Sequence, residues 1–449
     1  MHTLFRALID QREWKAFPAF RSRYQQAAKE VAAAEDNNPA LKALTLSDAT
    51  FERWYYGTHT PRGDARRVLV HMFGYSIDEL WAQAPAQLPP AHPHGAAATD
   101  TSADDGAHLQ QMGRQAAMAA RRAMQFAIGA EHGQIGEETM GYVQDRVRDL
   151  AARYTRVPLA EILDDLTETQ EQTFTLLEGD RATPDQSRDL YLLSALTSGM
   201  YAKACHDLAD PASAMMHARA ASVCATKAGH TPMQAWVSGL KSLITYWAGE
   251  PGRALHFARS AAKTAEGQRG SVTVWAASLE ARAAALLGDE ETVRQANRRA
   301  TELREFCEPD ELDALGGLLV FPKVRQDYYE VEAKVLLGHG DARLVAQAEE
   351  TVRGYSDPTD AHWAFGDAAG AQTDLALARL YTAELDGAME AVRPVLDLPL
   401  RQRNAGIVYS VNRVAGQLST GYGRDSVAAR DLREEIETFG RLRPLTLPR

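Results

Sequence analysis

The chain holds 13 histidines, three cysteines and 60 carboxylates, yet they do not fall at the spacings that reaction chemistry needs. No GxxxxGK[ST] loop is present to cradle a phosphate, no HExxH to hold zinc and no GxSxG to present a nucleophile. Cys205, Cys224 and Cys307 form no CxxC pair, which fits a reducing compartment. Asp164, Asp165, Glu349 and Glu350 sit where solvated helix faces ordinarily carry charge. Neither an enzyme nor a metal or cofactor protein is expected. The side chains suited to recognition are a different set: Lys241, Trp275, Arg282, Arg325, Tyr328, Asn404, Asn412 and Arg413. Asparagine and arginine match main-chain or carboxylate groups, and aromatic rings supply flat contact area.

Helices must position them. From about residue 188, helix-breaking turns with an acidic residue recur at Asp210, Glu250, Asp289, Asp341, Asp386 and Asp425. The spacing of roughly 40 residues is that of stacked helical hairpins. Ala254, Phe257, Ala258, Ala261, Ala262 and Ala265 make one apolar stripe, and Val293, Ala296, Ala300, Leu303 and Cys307 make the next. Small residues let such helices approach closely. The pattern predicts a solenoid of tetratricopeptide (TPR) type, whose concave face is lined by the first helix of each hairpin. The eight recognition residues are the candidates for that face. The interval from Asp289 to Asp341 is longer and holds the apolar stretch Leu315–Pro322, a candidate pocket lining, buried connector or dimer contact. Upstream, 109–131, 137–154 and 158–178 read as three helices.

Residues 84–107, with four prolines and little to bury, form a linker. The expected organisation is therefore a head at 1–83, the linker at 84–107, a helical connecting region at 108–187 and the repeats at 188–449. The whole chain carries −11, whereas residues 1–84 hold 11 basic and 10 acidic side chains. An acidic total argues against indiscriminate coating of nucleic acid but permits a small reading head. No apolar run approaches the roughly 20 residues that span a bilayer, and the start leads into Asp10 and Glu13 without an apolar core. A cytoplasmic protein with no membrane segment is expected.

The head has the most specific pattern. Ser47 is placed to cap a helix from Asp48, with Phe51 and Trp54 on its buried side and Gly57 at its end. Pro61 opens the next helix, in which Val68, Leu69 and Met72 face inward; Phe73-Gly74 closes it, and Ile77 to Trp81 form a last short helix. This layout resembles the helix-turn-helix domain of Xre-type bacterial repressors. By position, the resemblance implies that Asp48, Ala49, Thr50 and Arg53 face base edges. Lys42, Ser47, Tyr56, His59 and Arg62 belong to the same implied DNA surface, and Arg53 suits bidentate pairing with guanine. The chain departs from the family in the connection before Ser47: residues 28–47 exceed the usual short turn and include Asp36-Asn37-Asn38-Pro39.

Head, linker and repeats together resemble the actinobacterial Xre-like regulators with TPR-type C-terminal regions. The resemblance implies an all-α protein with a helix-turn-helix domain joined by a Pro-rich linker to a TPR-like solenoid. It further implies a homodimeric regulator that binds double-stranded DNA at a pseudo-palindromic operator, with the repeats receiving a peptide, small-molecule or protein effector. The alternative is a TPR adaptor whose helical head does not bind DNA.

Overall fold

The computed structural model describes residues 3–12, 14–34, 41, 44–61, 63–84, 133–421 and 423–441, together with short stretches between 112 and 128. Among these the secondary structure is helical, apart from one isolated bridge between Thr3 and Gln83. No helix among them is long and apolar enough to cross a membrane. Two compact units divide at residues 124 and 125.

The first unit contains α1 (Leu4–Gln11), α2 (Phe17–Ala34), α3 (Asp48–Tyr55), α4 (Gly63–Phe73) and α5 (Ile77–Trp81). Its core is aromatic. Phe20 stacks on Phe51 with centroids 4.5 Å apart, Phe5 stacks on Trp81 at 4.9 Å, and Tyr24 tilts against Trp54 at 6.1 Å. Thus α3 is pinned from one side by the very residues whose i, i+3 spacing marked it. The Ser47 hydroxyl accepts from the Thr50 amide and caps α3, and Gly57 at φ +69° ends the segment in the left-handed region. The sequence before Ser47 reads as one long connection, but the chain is helical to Ala34 and again at Leu41, which is fully buried. A buried leucine there anchors the approach to α3. Of the helix expected at 109–131, the described residues between 112 and 128 are helical and the others lie outside the description.

The second unit opens with α6 (Glu137–Tyr154) and α7 (Leu163–Glu178), the latter preceded by a 3-10 turn at Leu159–Glu161. Six helix pairs follow: α8 (Pro184–Asp207) with α9 (Pro211–Lys227), α10 (Thr231–Trp247) with α11 (Pro251–Thr264), α12 (Val272–Leu286) with α13 (Glu290–Glu305), α14 (Lys323–Leu336) with α15 (Ala342–Gly354), α16 (Phe365–Tyr381) with α17 (Leu385–Leu396), and α18 (Ala405–Thr420) with α19 (Val427–Arg441). The acidic turns have a local cause. Asp210, Asp289 and Asp341 accept from the amides of Ser213, Thr292 and Leu344 and so cap the second helix of their pair. Glu250 occupies the same position without a side-chain bond. In the fifth pair the cap is Glu384, so Asp386 lies in the first turn of α17 and not in the connection.

The first helices of the pairs pack against one another in order, and α8 also meets α18, so the row turns back on itself. Close approach depends on glycine. A Cβ at Gly239 would lie 2.7 Å from the Trp275 ring, and one at Gly199 would lie 2.6 Å from Trp236. In α12 every residue from Val272 to Ala285 is buried, because neighbours cover it on all sides. The long interval after α13 folds into two 3-10 turns, Asp313–Leu315 and Gly317–Leu319. Gly317, at φ +52°, presses onto the Ala151 carbonyl of α6.

Candidate functional site

The helix row encloses charge as well as apolar side chains. Glu332 on α14 is fully buried, and its carboxylate meets the Arg282 Nε at 2.6 Å, the Tyr246 hydroxyl at 2.9 Å and an Arg413 terminal nitrogen at 3.2 Å. The Arg282 guanidinium also lies over Tyr329 at 4.0 Å and Tyr246 at 4.4 Å from the ring centroids. Burial works to raise the Glu332 carboxyl, but the two guanidiniums outweigh it and hold the group ionised. Asp374 lies near the same cluster, 3.7 Å from Arg413, and one of its oxygens has no hydrogen-bond donor. Burial, and next the charge of Glu332, push its carboxyl well above the usual carboxylate range. Two guanidiniums thus converge on Glu332, with Asp374 at the edge of the cluster.

Next to this cluster lie two adjoining cavities. One, of about 100 Å³, is walled by Trp236, Leu240, Trp275 and Phe321 on its apolar side and by Lys203, Asp207, Arg325 and Asp367 on its polar side. The other, of about 90 Å³, reaches Arg282, Tyr328, Gly366, Asn404 and Gly406. They share Lys203, Asp207, Tyr329, Asp367 and Asn404. The acids in these walls are satisfied: Asp207 takes Lys203 at 2.5 Å and the Tyr154 hydroxyl at 2.9 Å, and Asp367 takes Arg325 at 2.5 Å. His206 is buried alongside, and desolvation, then the Lys203 charge, push its imidazole down to about 4. It is neutral at pH 7.

Of the eight recognition residues read from the sequence, Trp275, Arg282, Arg325, Tyr328 and Asn404 line this space. Arg413 stands behind it, bound to Glu332. Lys241 lies elsewhere: its ammonium donates to Ser222 on α9, at 2.6 Å. Asn412 is exposed and borders a separate surface hollow with Trp247 and Tyr409. Sequence reasoning missed Lys203, Asp207, Glu332, Asp367 and Asp374. The available signal was a charged side chain inside an otherwise apolar helix, as in YYEVEAKVL around Glu332. The stretch Leu315–Pro322 contributes Leu318, Leu319, Val320 and Phe321 to the cavity wall and meets there Ala364 to Asp367.

In the first unit, Ser47, Asp48, Ala49 and Arg53 are exposed, Thr50 and His59 are half-buried, and Tyr56 is 53% exposed. Lys42 and Arg62 lie outside the described residues. Phe51, Trp54 and Tyr55 hold the opposite side of α3, and the Tyr55 hydroxyl donates to Asp10 at 2.6 Å. The outcome is a short capped helix with one face fixed and one face open. Compared with protein-family models, curated proteins and solved structures, the chain matches none.

Proposed function

We propose that the chain is a sequence-specific DNA-binding regulator of the Xre-like, helix-turn-helix kind, with a TPR-like second unit that receives an effector. The carrying observation is α3. It is N-capped by Ser47, locked by Phe51, Trp54 and Tyr55, and open along Asp48, Ala49 and Arg53. A helix of that width fits the major groove, and the arginine on the open face can read guanine O6 and N7. Leu41, helical and buried shortly before Ser47, supports a helix preceding α3, as the motif requires. The charged hollow supports an effector-receiving role for the second unit.

Two heads in a homodimer would favour pseudo-palindromic half-sites about one helical turn apart. The test is selection of genomic fragments by the purified full chain, followed by fluorescence anisotropy on the enriched DNA across salt concentrations. Arg53→Ala is expected to cost about 1–3 kcal/mol on the selected site and to relax base preference at one position. Failure to enrich any sequence would sink the regulator and favour the adaptor. Asp48 and Glu52, both exposed on the same helix, are the residues that would then oppose phosphate.

A further inference from the structure

The cavity in the second unit is built with more donors than the fold uses. Arg282 is only 2% exposed, yet its terminal amino groups make no hydrogen bond; its one ion pair runs through Nε to Glu332. Asn404 spends its side-chain oxygen on the Ile407 amide, capping α18 at 2.9 Å, and its Nδ2 is left without an acceptor. The Gly366 and Gly406 amides, in the first turns of α16 and α18, also find no acceptor among the described residues. All of these groups line one chamber. Donors that line a cavity and meet no acceptor among the described residues mark the place for an acceptor-rich occupant.

The sign of that occupant follows from the charges. Lys203 pairs with Asp207, and Arg325 pairs with Asp367. Arg282 and Arg413 share Glu332, while Asp374 sits at 3.7 Å from Arg413 with an oxygen that meets no donor. The Arg282 terminal amino groups are the cationic donors that no carboxylate among the described residues takes up, and the N-terminal ends of two helices add to them. The adjoining chamber is flat-walled and apolar, with Trp236 and Trp275 centroids 5.9 Å apart. The two chambers, of about 100 and 90 Å³, together exceed the roughly 150 Å³ that accepts benzene.

We propose that this joined cavity binds a small monocarboxylate bearing a flat apolar group. The carboxylate sits between the Arg282 amino groups, Asn404 Nδ2 and the amides of Gly366 and Gly406. The flat group lies toward Trp236 and Trp275. A folded peptide segment is too large for chambers of about 100 and 90 Å³. This deepens the effector half of the function proposed above and rests on it for biological meaning, but not for its test.

The experiment uses the full chain without DNA. Benzoate, phenylacetate and indole-3-acetate are titrated by calorimetry and tryptophan fluorescence at millimolar concentrations, beside benzamide, phenylacetamide and indole-3-acetamide. At least one acid is expected to bind about tenfold or more tightly than its amide, since only the acid makes charge-assisted bonds. Asn404→Asp retains an oxygen for the α18 cap but turns a donor into a negative charge. It is expected to keep the melting temperature while abolishing the preference for the acid. Arg282→Gln is the second variant, with folding checked by circular dichroism. Equal affinity for acid and amide, an unaltered preference in Asn404→Asp, or no binding by any of the three acids would each overturn the proposal. Anisotropy on the selected DNA with and without the bound acid then reports separately. If the acid binds but operator affinity stays constant, the cavity stands and the regulatory reading falls.

Discussion

Glu332→Gln removes one negative charge from the centre of the second unit and almost nothing else. The amide has the same size, but Arg282 and Arg413 then face each other across a neutral group, both more than four-fifths buried. Breaking a buried ion pair from one side costs about 3–5 kcal/mol, because the partner charge stays desolvated. The unit spans residues 125–449. At about 2.1 cal/mol/K of unfolding entropy per residue, a unit of that length melting as one loses roughly 4–7 °C. The control is Arg148→Ala, which removes an exposed pair to Asp145 at 3.1 Å and should shift the melting temperature by under about 1 °C. Calorimetric melting of both variants against the parent is the assay. A Glu332→Gln shift no larger than that of Arg148→Ala would refute the reasoning, since it would mean the guanidiniums are solvated.

Two further outcomes follow from burial and backbone geometry. Burial pushes the His206 imidazole down to about 4 from its ordinary 6.5, so the unfolded chain binds the proton first as pH falls. Stability present above pH 6.5 is lost toward pH 4, by about 2 kcal/mol at pH 5; His206→Gln should flatten the acid limb of the melting temperature against pH. A limb as steep as the parent's would show that another group controls it. Gly317→Ala places a Cβ against the Ala151 carbonyl at a φ of +52°, a conflict of backbone with backbone that no rotamer relieves. It should lower the melting temperature more than Gly288→Ala, where the φ is also positive, at +69°, but no atom lies within 4 Å.

How much of this was legible in the sequence depends on whether a residue's role is local. Ser47, Asp210, Asp289 and Asp341 act on amides three residues away, so their caps and the turns they mark can be read from the chain alone. The stripe at Ala254, Ala258 and Ala261 is equally plain, because the helix carrying it has one covered side and one wet side. The inner helices give no such signal. With α12 buried all round, its periodicity does not say which side chains look into the cavity, and Lys241 on α10 was assigned to the interior although it turns toward Ser222. Tyr246 and Arg413 reach Glu332 across 86 and 81 residues, a juxtaposition set by stacking and not by spacing.

The same distinction explains why the candidate site lies where it does. An outer helix can satisfy a charged side chain with water, so charges there are cheap and carry little information. An inner helix cannot, and each charge placed on it must find a protein partner. Arg282 and Arg413, from α12 and α18, meet Glu332 on α14, and Arg325 on α14 meets Asp367 on α16, whereas Lys203 and Asp207 pair within α8. Hydrophobic packing alone could have filled that space at comparable or lower cost. A cluster that couples four helices through charge, with no acceptor for the Arg282 amino groups among the described residues, responds to an anion in a way that a packed apolar centre would not. Binding there would stabilise the arrangement that gathers these helices over any that separates them, which is the differential affinity that an effector-driven change requires.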